Sequence, residues 1–262
     1  MKLGGARSIR SVVVIMLVVV VSGGIVARTY YGNANRSVDP RIVHARELYS
    51  GYDHLARIGD YYGIFALLDS IEAIYTSVFH YQKSFELGVL ENNRAAALLT
   101  IALYRDSIPK SVNPYSELTT DSIISLAEVH VNHAINVYEN WYHTFKELSG
   151  LQIRRKIEPG FMDGWNPSTE NICEIYLDAR VKEIESALKE NDRRLSVCLT
   201  NLGLVFRYQG SYEKAARQYL KALDLWDRNL DAENNLNKLL NKPVKKRNLL
   251  QKLFPPERKN SD

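Results

Sequence analysis

One stretch of the sequence concentrates side chains able to do acid–base or metal chemistry. In SIISLAEVHVNHAINVYENW the residues Glu128, His130 and His133 lie close together, and His143 follows further along the same stretch. Side chains three apart share a helix face, so His130 and His133 can present two imidazoles to one divalent ion. Such an ion needs ligands from a second helix, and the Glu-x-x-His pairing that supplies them in carboxylate-bridged helical bundles is not found. Ordinary surface or half-buried histidines are the plainer reading. Cys173 and Cys198 are too few and too far apart for a zinc knuckle. In antiparallel helices turning near Asn191 and Asp192 they also fall out of register for a disulfide, which leaves two buried thiols. No P-loop, GxGxxG, GxSxG, HExxH or paired CxxC occurs. The expectation is a protein that is not an enzyme and has no metal site and no cofactor.

The elements that carry these residues read as helices. From Arg41 onward apolar residues recur at spacings of three and four, which predicts helices over 41–57, 61–78, 79–105, 120–148, 169–190, 193–209, 212–227 and 230–241. Thr119, Thr120 and Asp121 form a start signal for the histidine helix, and Ser168 and Thr169 form one for the helix after Pro167. The pattern breaks at 107–119 and at 149–168, where Gly and Pro cluster, and both read as long connections. Trp141, Tyr142 and Trp226 sit at helical spacing and read as core. Trp165, in a Gly-Trp-Asn-Pro loop, is the aromatic most open to a binding role.

Self-similarity is the strongest signal in the chain. Residues 196–229 place Leu199, Leu202, Gly203, Phe206, Gly210, Tyr212, Ala215, Tyr219 and Ala222 at intervals that suit two antiparallel helices. The small Gly203 and Ala215 let the helices approach, and the larger residues fill the space beside them. Gly210 can take the positive φ that ends the first helix. This order and spacing resembles one tetratricopeptide repeat, with Leu199 where that family has tryptophan and Asp227 where it usually has proline. Leu48, Tyr52, Leu55, Gly59, Tyr61, Leu68 and Ile71 fall at corresponding positions of a degenerate copy over 45–78. Ala232, Leu236, Leu239 and Leu240 form the stripe of a capping helix that Pro243 stops. A single repeat cannot bury its own apolar face, so the flanking helices must stack on it. The fold class expected is all-α, an antiparallel helix-hairpin array of the tetratricopeptide-like solenoid type, preceded by a single transmembrane helix.

That resemblance implies a concave groove lined by the first helix of each repeat. Carried onto this sequence, the peptide-binding face comprises Thr200, Asn201, Leu204, Arg207 and Tyr208, followed by Asn234, Asn235 and Lys238. Asn amides pair with peptide backbone, and Arg207 with Lys238 suits an acidic or C-terminal peptide. Protein or peptide partners follow from the resemblance; their identity does not.

The ends differ from the body. Lys2, Arg7 and Arg10 precede the uncharged run Ser11–Ala27, and Tyr30 and Tyr31 follow Arg28. Seventeen helical residues span about 26 Å, enough to cross hydrocarbon when Arg28 snorkels to the interface. The expected layout is a basic cytoplasmic segment at 1–10, a transmembrane helix at 11–31 and a tether at 32–40. A degenerate repeat-like region follows at 41–167, then the hairpin with its flanking and capping helices at 168–241, and a basic tail at 242–262. The positive-inside rule puts the helical body outside an inner membrane, which in a bacterium is the periplasm. The alternative is an exported soluble protein after cleavage near Ala27, where Ile25 departs from the A-x-A pattern. Lys and Arg number 34 against 30 acids. Five of these cations lie in 1–36 with no acid, and eight lie in 238–262 with two acids, so residues 37–237 hold 21 cations against 28 acids. An acidic body with cations at its ends is not the surface a nucleic-acid binder presents, and no nucleic acid is expected. The tail, with Leu249, Leu250, Leu253 and Phe254 among its cations, reads either as a solvated segment or as one that touches anionic lipid or an acidic partner.

Overall fold

A computed structural model describes residues 38–165 and 170–247. Its helices are α1 (Val43–Tyr49), α2 (Tyr52–Ile58), α3 (Tyr61–Ser77), α4 (Phe85–Leu103), α5 (Thr120–Phe145), α6 (Gly150–Met162), α7 (Glu170–Lys189), α8 (Asn191–Tyr208), α9 (Tyr212–Leu225) and α10 (Leu230–Leu239). Short 3-10 turns lie at Phe79–Tyr81, Arg105–Ser107 and Lys110–Val112, and no strand occurs among the described residues. The fold is all-α.

Local chemistry sets several boundaries. Thr119 Oγ1 accepts from Ser122 N–H at 3.2 Å to start α5, and Asp60 Oδ1 accepts from Gly63 N–H at 2.9 Å to start α3. Gly59 (φ 71°) ends α2, and Gly210 (φ 74°) follows α8, both in the left-handed region that spares glycine a side-chain clash.

The α4–α5 pair is the centre of the molecule. Helices α1 and α2 pack on α3, and α3 packs on α4; Ile42, Ile64, Leu68 and Ile71 share one core with Leu98, Ile101, Ile123 and Ala127. Helix α8 lies against α5 and α4, with Cys198 and Leu202 buried beside Ala95, Val131 and Tyr138. Helix α9 closes on α8, and α10 follows through Ala232 and Leu236. Helices α6 and α7 form a fourth body of core under Trp141 and Phe145.

Four expectations need correction. The break expected at 149–168 contains α6: Ser149 and Gln152 form a capping box, and Ile153, Ile157 and Phe161, each four apart, are buried against Leu177, Val181 and Ile184 of α7. Burial of that stripe outweighs the helix-breaking tendency of Pro159 within the helix. The helix expected over 41–57 is two short helices meeting at Ser50 and Gly51, and the one expected from 79 begins at Phe85 after a 3-10 turn. Trp165 is part of the packing: its ring stacks on Tyr176 at 5.5 Å, and the Arg41 guanidinium lies 4.8 Å from its centroid.

Because α6 and α7 pack together, the boundary drawn between 167 and 168 runs through one packed unit. Residues 1–37, with the expected membrane segment at 11–31, lie outside the described residues. Among the described residues no helix is long and apolar enough to cross a membrane.

Candidate functional site

Several concave surfaces carry polar side chains, and two of them take in residues singled out above. The first lies between α8 and α10, about 220 Å³ in volume, and is lined by Val197, Thr200, Asn201, Leu204, Asn229, Asp231 and Asn235. It exists because α8 and α9 approach closely. A Cβ on Gly203 would meet the Tyr219 ring at 2.4 Å, so glycine is what admits that ring between the helices. Ala215 and Ala222 are fully buried in the same contact. Leu199 and Phe206 pack against it, and Leu202 is buried on the side toward α5. Tyr212, at the start of α9, is exposed.

Asn229 sets the angle of α10. Its Oδ1 accepts from Ala232 N–H at 3.0 Å and caps the helix, while its Nδ2 donates to Ser196 Oγ at 2.8 Å and Thr200 Oγ1 at 3.0 Å on α8. Ser196 Oγ donates to the Ala222 carbonyl of α9 at 2.6 Å. Three helices are thus tied by one buried, hydrogen-bonded cluster.

The structure separates the eight residues assigned to a peptide face. Thr200, Asn201, Leu204 and Asn235 line the groove. Thr200 is almost wholly buried and occupied by its bonds to Ser196 and Asn229, so it shapes the floor. Asn201 Nδ2 donates to Asn92 Oδ1 at 2.9 Å, linking α8 to α4. Arg207 and Tyr208 lie at the C-terminal end of α8, where the guanidinium is 5.8 Å from the Tyr208 ring. Asn234 engages Lys245, and Lys238 is exposed. Arg207, Tyr208, Asn234 and Lys238 are not among the residues lining the groove.

The second surface is a cleft of about 830 Å³ bordered by α3–α7. Its walls include the apolar Leu87, Val137, Trp141 and Ile157, and its floor reaches buried charges. Arg180 of α7 donates to both Glu86 oxygens, at 2.5 and 3.1 Å, to Glu183 Oε2 at 3.1 Å, and through Nε to His80 Nε2 at 3.1 Å. Its guanidinium also lies 4.5 Å from the Tyr81 ring centroid. Burial works against the Glu86 carboxylate, but Arg180 overcomes it and holds the pKa below the usual value. Burial, reinforced by the Arg180 charge, pushes His80 down to about 3. His80 is therefore a neutral acceptor.

A second charge cluster stands on the cleft's α4–α5 wall. Glu91 Oε1 accepts from Arg94 at 2.9 Å, and Glu91 Oε2 lies 2.6 Å from His130 Nδ1 and 3.5 Å from His133 Nδ1. Arg94 continues to Asp69 and Glu72 of α3. The histidine pair thus meets a carboxylate already paired with arginine. Glu128 accepts from Gln209 at 2.6 Å, and His143 is exposed. Among the described residues no group of three His, Cys, Asp or Glu side chains is arranged to hold a metal ion. Cys173 and Cys198 are both buried, and burial pushes the Cys198 pKa up to about 12.

Sequence reasoning missed Ser196, Asn229, Arg180 and Glu86. Only Asn229 gave a local signal, as an Asn just ahead of a helical run. No protein family, curated protein or solved structure matches the chain.

Proposed function

We propose that this chain is a non-catalytic adaptor of tetratricopeptide-like design, which binds another polypeptide along the groove between α8 and α10. Residues 11–31 hold it in an inner membrane with the helical array on the outer, periplasmic side. The observation that supports this reading is the groove itself. Gly203 lets α8 and α9 nest, Asn229 fixes α10, and the resulting channel presents apolar Val197 and Leu204 beside the amides of Asn201 and Asn235. Amides beside apolar steps suit an extended polypeptide, whose backbone needs donors and acceptors while its side chains need shallow pockets.

Affinity capture from membranes tests it, using the full chain and its Leu204→Asp, Asn235→Lys double variant. The variant should keep its helical content and lose a specific set of partners. Recovery of an unchanged set would remove the groove from the function. Mass spectrometry of the mature chain tests the anchor, since loss of residues 1–27 would make the protein a soluble exported adaptor.

A further inference from the structure

The last described residues turn back onto α10. Asn234 meets Lys245 as one strand meets another: its Nδ2 donates to the Lys245 carbonyl at 3.0 Å and its Oδ1 accepts from the Lys245 N–H at 2.7 Å. Asn237 Nδ2 donates to the Pro243 carbonyl at 3.3 Å. The Lys245 ammonium reaches Glu233 Oε1 at 2.7 Å, and Arg247 donates to the Arg228 carbonyl at 2.8 Å. Residues 243–246 are exposed, and 243, 245 and 247 each bond to α10 or to the turn before it. Contact at every second residue is the period of an extended segment.

We propose that this face of α10, with the Arg228 carbonyl just before it, is a recognition site for extended basic segments of the pattern Lys-x-Arg. The chain occupies the site with its own residues 243–247, and a second polypeptide of that pattern enters by displacing them. The paired amide of Asn234 reads backbone and accepts almost any residue there. Selection comes from Glu233, whose carboxylate is largely shielded (12% exposed), and from the Arg228 carbonyl, which takes a guanidinium two positions on. A segment with an acid at the lysine position would bring two carboxylates together, so acidic peptides are rejected. The site thus prefers the opposite charge from the acidic peptide expected of Arg207 and Lys238. Because the tail is tethered beside its site, its high effective concentration excludes a weaker or scarcer competitor.

This inference rests on the adaptor reading only in that the array binds polypeptide; Asn201, Leu204 and Asn235 of the groove take no part. Fluorescence anisotropy with a labelled KPVKKR peptide tests it on the full chain and on Lys245→Glu, which lacks the Lys245–Glu233 ion pair. Lys245→Glu should bind the peptide about tenfold more tightly than the unaltered chain. Adding Asn234→Ala should abolish the gain, and a peptide with Glu at the lysine position should not bind. Equal affinity for both chains, no binding to Lys245→Glu, or binding that survives Asn234→Ala would each overturn the proposal. Leu204→Asp in the Lys245→Glu chain should leave peptide binding intact, which separates this site from the groove.

Discussion

Where α8 meets α9, contact depends on a missing side chain: the Tyr219 ring fills the place a Gly203 Cβ would take, and alanines surround it. Where α7 meets α4, contact depends on full charges: Arg180, 2% exposed, is held between Glu86, Glu183 and His80. The first junction is a matter of shape and is indifferent to pH. The second keeps its stability only while every charge has its partner, because an unpaired buried charge is far more costly than the pair is favourable. The groove proposed to bind polypeptide stands on the first kind of junction, and the wider cleft stands on the second.

The largest expected effect comes from breaking the charged junction. Arg180→Met leaves Glu86 buried without its cation and should cost about 3–5 kcal/mol in urea denaturation, with much of the loss recovered in the Arg180→Met, Glu86→Gln double variant. A cost below about 1 kcal/mol would mean that the junction does not need its charges.

Next in size is the shape-dependent junction. Gly203→Ala should cost about 2–3 kcal/mol, since its Cβ would sit 2.4 Å from a buried ring. Gly88 faces Tyr138 across α4 and α5 in the same manner but at 2.9 Å, so Gly88→Ala should cost less, about 1–2 kcal/mol. Equal costs would show that the two nests are equally deformable.

Acid should separate the regions more gently. Folded His80 binds its proton only near pH 3, against 6.5 in the unfolded chain, so its neutral form favours folding. That contribution is complete above pH 6.5 and declines as pH falls toward 3, reaching a loss of about 2 kcal/mol at pH 5. The Glu86 contribution, whose folded pKa lies below 4.5, is retained at pH 5 and fades only under more acid conditions. Denaturation curves at pH 7.5 and 5.0 should therefore differ for the unaltered chain and nearly coincide for His80→Gln. An equal drop in both would assign the acid sensitivity elsewhere.

The two glycine nests also show what the sequence made legible. Gly203 and Tyr219 are 16 positions apart within one hairpin, so their partnership appears as a local pattern. Gly88 and Tyr138 are 50 apart, and no local pattern links them although the contact is of the same kind. Likewise Arg180 and Glu86 meet across 94 positions, and only the fold brings them together. Helix α6 was obscured for a different reason. Gly150, Pro159 and Gly160 are breakers by propensity, and the four-residue spacing of Ile153, Ile157 and Phe161 outweighed them through burial. At the groove, Asn201, Leu204 and Asn235 were legible as facing residues. The tetratricopeptide-like spacing puts Thr200 on that face too, yet it lies almost wholly buried, its hydroxyl bonded to Ser196 and Asn229.

Asn229 has a final implication for how α10 is held. One amide both starts α10 and rivets it to α8, whose Ser196 in turn holds α9, so α10 cannot peel away without losing its own first turn. Fraying of α10 is thereby made an all-or-nothing event shared with α8 and α9, and a partner seated among them meets a rigid wall.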